Sequence, residues 1–244
     1  MSEVRISKNP ADLFRAAALE FSKCASEAVR TRDRFTVALS GGSTPKGLYS
    51  LLATKEIPVP WDDSYFFWGD ERHVPPGDPE SNYRMANEVM LSKIPVRSSN
   101  VFRIPTEEKD ARTAARKYED TLIRFFDLKL GDFPKFDLVL LGLGPDGHTA
   151  SLFPDSPALE EKQRLVVANP VEKFYTDRLT LTLPVLNRAR TIVFLVSGQE
   201  KAGILQQVLD GPDGKFPSQL IQPDDGELLW LVDEAAASQL AGSK

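Results

Sequence analysis

The stretch FDLVLLGLGPDGHTASLFP, Phe136–Pro154, decides how this chain folds. Its first part, FDLVLL, is a nearly continuous apolar run, the pattern of a strand buried on both faces of a parallel sheet. The strand leads into a loop that holds three glycines, two prolines and one of the two histidines in the chain. Gly142, Gly144 and Gly147 match G-x-G-x-x-G, the dinucleotide fingerprint. That fingerprint opens a long helix and needs an acid about 20 residues further on. Pro154 cuts short any helix after Gly147, and the next apolar run, LVVA, ends in Ala168-Asn169 with no acid. A nucleotide is therefore not expected. Two readings remain for the loop. It is a structural turn with a solvated His148, or it presents His148 at a strand's carboxyl end as a general base.

Outward from this stretch, apolar runs alternate with helical patterns. Asn9 suits an N-cap, Pro10 the first helical position and Asp12 the first turn of a helix reaching about Arg30. Its buried stripe is read as Phe14, Ala17, Ala18, Phe21, Ala25 and Ala28. FTVAL (Phe35–Leu39) and YFFW (Tyr65–Trp68) are strands, separated by a helix beginning near KGLYSLL. Further helices are expected over about Asn82–Leu91 and Glu107–Phe126. LVVA, RLTLTL, TIVFLV and LLWLV give four more strands. RLTLTL alternates, with Leu179, Leu181 and Leu183 on one face and Thr180 and Thr182 on the other. TIVFLV and LLWLV flank a helix whose capping box is read as Ser197 and Glu200 and whose end is Gly211. The expectation is an α/β fold: one domain over residues 1–244, with a largely parallel sheet and helices on both faces.

Composition narrows the function. The chain has 244 residues, 41% hydrophobic and 27% charged, with a net charge of −5. An acidic balance argues against nucleic acid and anionic membrane as partners but leaves room for a small anion held by local cations. Cys24 is the only cysteine, so no disulfide forms within the chain. The N-terminal MSEVRISKNPADLF has no apolar signal core, and no run reaches the roughly 20 residues of a membrane span. The expected location is the cytoplasm. One cysteine and two histidines make a metal site improbable.

Ligands of such sheets collect where strands end. After FTVAL comes Ser40-Gly41-Gly42-Ser43-Thr44-Pro45. Glycine backbone, hydroxyls and a helix start form a phosphate cradle, although no P-loop signature is present. The alternative is a tight turn with Thr44 as the cap. After YFFW comes Gly69-Asp70-Glu71-Arg72-His73. Arg72 is placed to fork onto a phosphate or an oxyanion, or else Asp70 or Glu71 pairs with it in a solvated loop. Arg178 precedes RLTLTL, and Lys201 lies in the first turn of a helix, where a cation opposes the dipole unless it serves an anion. No G-x-S-x-G elbow occurs, so a hydrolase of this sequence takes water as its nucleophile.

LSGGSTPKGLY, WGDERHVPPGDPESNY, LLGLGPDGHTASLFP, VEKFYTDRLTLTLPVLNRA and SGQEKAGIL, in this order and spacing, resemble the 6-phosphogluconolactonase family. The resemblance spans nearly the whole chain. It implies the α/β superfamily that includes glucosamine-6-phosphate deaminase, ribose-5-phosphate isomerase and CoA transferase folds. It also implies hydrolysis of 6-phospho-D-glucono-1,5-lactone to 6-phosphogluconate, in the oxidative branch of the pentose phosphate pathway, without cofactor or metal. His148 matches the family's catalytic histidine, Arg72 its D-E-R arginine and Lys201 its S-G-x-x-K lysine. On this reading Asp146 orients His148 or the water. The sugar phosphate lies among Gly41, Gly42, Ser43, Thr44, Asp70, Gly144, Arg178 and Lys201, and the protein acts as a monomer. Arg72 joins them on the phosphate as its main role; the oxyanion is met by backbone N–H groups of the Gly142–Gly147 loop or, as a secondary role, by Arg72. Two alternatives are a deaminase of glucosamine 6-phosphate and a non-catalytic sugar-phosphate sensor. The deaminases typically carry D-G-H-I-A-F-N-E-P and an M-D-E-Y turn where this chain has D-G-H-T-A-S-L-F-P and D-E-R. A sensor would carry a DNA-binding segment with a basic face.

Overall fold

The computed structural model describes residues 2–170 and 177–241. The segment 171–176, within the VEKFYTDRL motif, lies outside the described residues. Six strands form one parallel sheet: β1 (Ser2–Ser7), β2 (Phe35–Leu39), β3 (Ser64–Trp68), β5 (Leu138–Leu141), β8 (Thr191–Val196) and β9 (Glu227–Asp233). Their spatial order is β1-β9-β8-β5-β2-β3. Every residue of β2, β5 and β8 is buried, as expected for strands covered on both faces.

The helices start and stop where the local chemistry predicts. Asn9 caps α1 (Pro10–Arg32) by accepting the Asp12 N–H at 3.0 Å, and Asp33 ends it in a left-handed conformation. Leu13 rather than Phe14 heads the fully buried stripe, followed by Ala17, Ala18, Phe21, Ala25 and Ala28. Helix α4 (Ala111–Phe126) begins later than Glu107 because Asp110 takes the cap, accepting the Thr113 N–H at 3.0 Å. Among the described residues no helix is long and apolar enough to cross a membrane.

Four expectations need correction. The first strand is not FTVAL: SEVRIS, to which the sequence assigned no strand, is the edge strand β1, paired in parallel with β9. Five of its six residues are exposed, so it lacks the apolar run that marks the central strands. Second, a small antiparallel sheet, in the order β4-β7-β6, joins Asp70–Arg72 (β4), Arg178–Leu181 (β7) and Val166–Asn169 (β6). Both faces of β7 are buried, so its leucine/threonine alternation does not separate core from solvent. Leu183 is not part of it but opens the short helix α5 (Leu183–Asn187). Third, Thr44 does not cap α2 (Ser43–Leu52); it lies inside the first turn, after Gly42 at φ 103°. Fourth, Ser197 forms no capping box. Its hydroxyl donates to the Asp233 carboxylate, and a short 3₁₀ turn, Gln199–Lys201, precedes α6 (Ala202–Leu209).

Gly69 links the two sheets. Its N–H donates to the Leu39 carbonyl of β2 at 2.9 Å, and its own carbonyl accepts the Leu181 N–H of β7 at 2.8 Å. The charged β4 is thereby held over the carboxyl end of the main sheet.

Candidate active site

The chain runs from β2 to β3 on one side and from β5 through β8 to β9 on the other. The order therefore reverses between β2 and β5, and ligands of open α/β sheets bind in the crevice outside such a switch point. A cleft of 370 Å³ opens there. It is lined by the Ser40–Pro45 loop after β2, Asp70 and Arg72 of β4, the Gly142–Pro145 turn and His148 after β5, Arg178 of β7, and Ser197 and Lys201 after β8. The cleft brings together Gly41, Gly42, Ser43, Thr44, Asp70, Arg72, Gly144, His148, Arg178 and Lys201, all singled out from the sequence. Asp146 is not among the lining residues but touches His148.

The histidine is held from several sides. Its Nδ1 lies 2.5 Å from Asp146 Oδ1, and its backbone N–H donates to the same oxygen at 3.3 Å. An ionised carboxylate can only accept, so Nδ1 carries a proton, and whenever the ring is neutral Nε2 holds the lone pair. Burial alone would push the Asp146 carboxyl up, but the hydrogen bond and charge of His148 outweigh it and hold the carboxyl below its ordinary range. The Phe153 ring lies against the imidazole, with centroids 4.3 Å apart. The backbone closes the turn: the Gly144 N–H donates to His148 O at 2.8 Å and the Gly147 N–H to Gly144 O at 3.1 Å. The Thr149 hydroxyl donates to Gly142 O at 2.9 Å.

These bonds narrow one expectation. Of the N–H groups in the Gly142–Gly147 loop, those of Gly144 and Gly147 are committed within the turn. These two glycines serve a steric purpose. A Cβ on Gly144 would stand 2.0 Å from His148 Nδ1, and Gly147 adopts φ 77° with Phe216 packed where a side chain would go.

The cationic part of the cleft has its own logic. Arg72 and Arg178 are direct partners in the β4–β7 register. Like charges placed opposite each other across an antiparallel ladder repel. Burial pushes the Arg178 guanidinium below its ordinary range, and the nearby Arg72 charge adds to the effect; Asp70, Glu80 and Glu71 oppose it. Arg72 Nη1 donates to the Glu80 carbonyl at 2.5 Å. Lys201 Nζ donates to the Leu143 carbonyl at 2.8 Å, which draws its ammonium over the His148 turn. An anion among these cations relieves the repulsion and meets charge-assisted donors.

Asn82, Ser151 and Phe153 also line the cleft, and none was singled out from the sequence. Asn82 donates to the Asp70 carbonyl at 3.0 Å and fills the space that a Cβ on Gly41 would need. The Ser151 hydroxyl donates to Asp70 Oδ2 at 2.7 Å. Both lie inside the motifs P-E-S-N-Y and H-T-A-S, so proximity to a motif was the available signal. Glu71, weighed as a partner for Arg72, is instead buried against α3 (Asn82–Ala86). It accepts the N–H groups of Asn82 at 2.7 Å and Tyr83 at 2.8 Å, and burial raises its carboxyl above the ordinary range. His73 faces away from this chemistry, with Nε2 2.7 Å from the Glu108 carbonyl.

Comparison with known proteins identifies the family of the chain. The model of the glucosamine-6-phosphate isomerases/6-phosphogluconolactonase family matches residues 8–230. A 6-phosphogluconolactonase of Nostoc sp. is 44% identical over 216 residues, 88% of each chain. A human 6-phosphogluconolactonase is 42% identical over 220 residues, 86% of this chain and 82% of that one. The solved structure of a 6-phosphogluconolactonase from Trypanosoma brucei is similar with a TM-score of 0.88 at 30% identity, over 99% of both chains.

Proposed function

This chain belongs to the glucosamine-6-phosphate isomerase/6-phosphogluconolactonase family, and we propose that it hydrolyses 6-phospho-D-glucono-1,5-lactone to 6-phospho-D-gluconate with His148 as general base. The observation that carries this reading is a carboxylate-backed imidazole sharing one cleft with two apposed guanidiniums. A δ-lactone is already an activated ester, so no covalent nucleophile is needed. His148 Nε2 takes a proton from water as the water oxygen attacks the lactone carbonyl carbon. The charge that builds on the carbonyl oxygen is met by a donor in the cleft. Collapse of the tetrahedral intermediate breaks the bond to the ring oxygen, which takes the proton back from the imidazolium. The product is a carboxylic acid that ionises. Asp146 keeps Nε2 in its basic tautomer and steadies the imidazolium.

The 6-phosphate lies among the Gly41–Thr44 loop, Arg72, Arg178 and Lys201. With Arg72 apposed to Arg178, phosphate binding is its main task and the oxyanion a secondary one. The scheme uses no metal or cofactor. Residues 1–244 act as one domain and as a monomer in the cytoplasm; for the single domain, the support is the one contiguous apolar cluster that unites both sheets among the described residues.

The test is acid release from freshly generated 6-phosphogluconolactone above the spontaneous rate, with ammonia release from glucosamine 6-phosphate assayed in parallel. The expected result is lactone turnover without ammonia. His148→Ala lowers kcat by about two to four orders of magnitude with KM largely kept. Near-wild-type turnover in that variant removes His148 as the base. Ammonia release would move the chain to the deaminases, and binding without turnover of either compound to the sensors.

A further inference from the structure

We infer that Tyr49, which does not line the cleft, is a positioning residue for substrate: its phenol fixes the one residue from which the anion-binding loop leaves the sheet. The inference rests on the lactonase reading above in taking that loop as the seat of the phosphate.

Tyr49 lies on α2 and is fully buried. Its hydroxyl donates to the Ser40 carbonyl at 2.9 Å and accepts the Ser40 N–H at 3.0 Å. One oxygen therefore satisfies both backbone groups of a single residue. The need for it comes from the topology. Pairing of β2 with β5 stops at Ala38 and pairing with β3 at Leu39. The cleft opens at the next residue, so no neighbouring strand completes the ladder there. Buried backbone groups left unpaired are costly, and Tyr49 supplies both partners from the far side of the loop.

The contact also closes a ring. The chain passes from Ser40 through Gly41 and Gly42 into α2 and returns through the Tyr49 phenol to Ser40. The two glycines give the loop little stiffness of its own, and Gly42 sits at φ 103°. With its base clasped and its end locked into α2, the loop holds its donors in place before substrate arrives. The next strand repeats the device. Tyr118 of α4 donates to the Trp68 carbonyl at 3.1 Å and accepts the Trp68 N–H at 2.8 Å, just before the chain turns into Asp70–Arg72. Burial pushes both phenols above the ordinary tyrosine range, so both remain protonated donors at any working pH. Two clasps at adjacent strand ends set the loops that carry the phosphate ligands, at a distance from His148.

Tyr49→Phe removes one oxygen and keeps the packed ring. The variant is expected to raise KM for the phosphorylated lactone about tenfold, with kcat within about threefold of wild type. Hydrolysis of unphosphorylated glucono-1,5-lactone should keep its wild-type rate. Calorimetric affinity for inorganic phosphate, which needs no turnover, should fall by the same factor of about ten. Unchanged KM and phosphate affinity, or equal losses on both lactones, would overturn the inference. If the wild type hydrolyses neither lactone, the lactonase reading fails, and the phosphate titration still decides the role of Tyr49. Should Tyr49→Phe not fold, hydrogen exchange on the wild type decides. The Ser40 amide is expected to exchange at least about a hundredfold more slowly than those of Gly41 and Gly42. Equal rates would mean that the clasp does not hold.

Discussion

At the scale of the residue, the contact between His148 and Asp146 sets the chemistry. An amide in place of the carboxylate can donate to Nδ1, which moves the imidazole proton to Nε2 and removes the lone pair that takes the water proton. Asp146→Asn is therefore expected to lower kcat by about two to three orders of magnitude and leave KM nearly unchanged. The stability effect has a definite sign. The Asp146 carboxyl is held below its ordinary range, so the pair contributes stability above about pH 4, lost as pH falls through the depressed value. The Asp146 side chain is 34% exposed, and solvent screening keeps the contribution below about 1 kcal/mol. Asp146 therefore adds no ionisation to the kcat/KM profile above about pH 4. Steady-state kinetics over about pH 4–9 and urea unfolding at about pH 7 check both statements; a large loss of stability without loss of kcat would make Asp146 a structural residue. The placement of His148, Arg72 and Lys201 at strand ends around the cleft was legible in the sequence because each follows an apolar run within a short motif. Ser151 was not, because its partner Asp70 is 81 residues away. Phe153 was hidden for another reason: a phenylalanine beside a proline reads as core, and only the fold turns its ring onto the imidazole.

At the scale of the element, the turn after β5 works because two of its glycines have no side chain. Gly144 lets the imidazole rest on the backbone, and Gly144→Ala would push it off Asp146. The expected loss in kcat is about a hundredfold or more, since a displacement near 1 Å carries such a cost. Coupling identifies the cause: in a His148→Ala background the same substitution should change turnover by less than about threefold. An undiminished loss in that background would mean that the alanine acts by unfolding the turn. The glycine pattern was visible from the start, but its purpose was not, since the same spacing fits a dinucleotide fingerprint. Central strands were the most legible elements. FTVAL and TIVFLV match β2 and β8 residue for residue, because a strand covered on both faces is apolar throughout. Helix caps were legible only where the partner is local. Asn9 caps α1 within three residues, whereas Ser197 abandons its local cap for Asp233, 36 residues away.

At the scale of the molecule, the sequence alternation specified a parallel sheet but not its strand order. That order is set by pairings such as β1 with β9, which join the first and last strands of the chain. It matters for function because it puts the reversal between β2 and β5 and delivers Arg72 and Arg178 to facing positions over it. The register puts the two arginines side by side, and the Arg72 charge adds to the burial that holds the Arg178 guanidinium below its ordinary range; a bound anion would offset both. Ligand and fold are therefore linked: whatever binds only the folded state stabilises it in proportion to its occupancy. At a hundred times its dissociation constant, 6-phosphogluconate should add about 2.7 kcal/mol. For a chain of this size that is a rise in Tm of about 5–10 °C. D-Gluconate, which has the same carbon chain without the phosphate, should give less than about a quarter of that shift at equal concentration. In Arg178→Met the 6-phosphogluconate shift should largely disappear while His148 keeps its geometry. Differential scanning calorimetry of both proteins with both ligands checks this. Equal shifts from the two ligands, or a full shift in Arg178→Met, would place the phosphate elsewhere and leave the apposed arginines without a role in binding it.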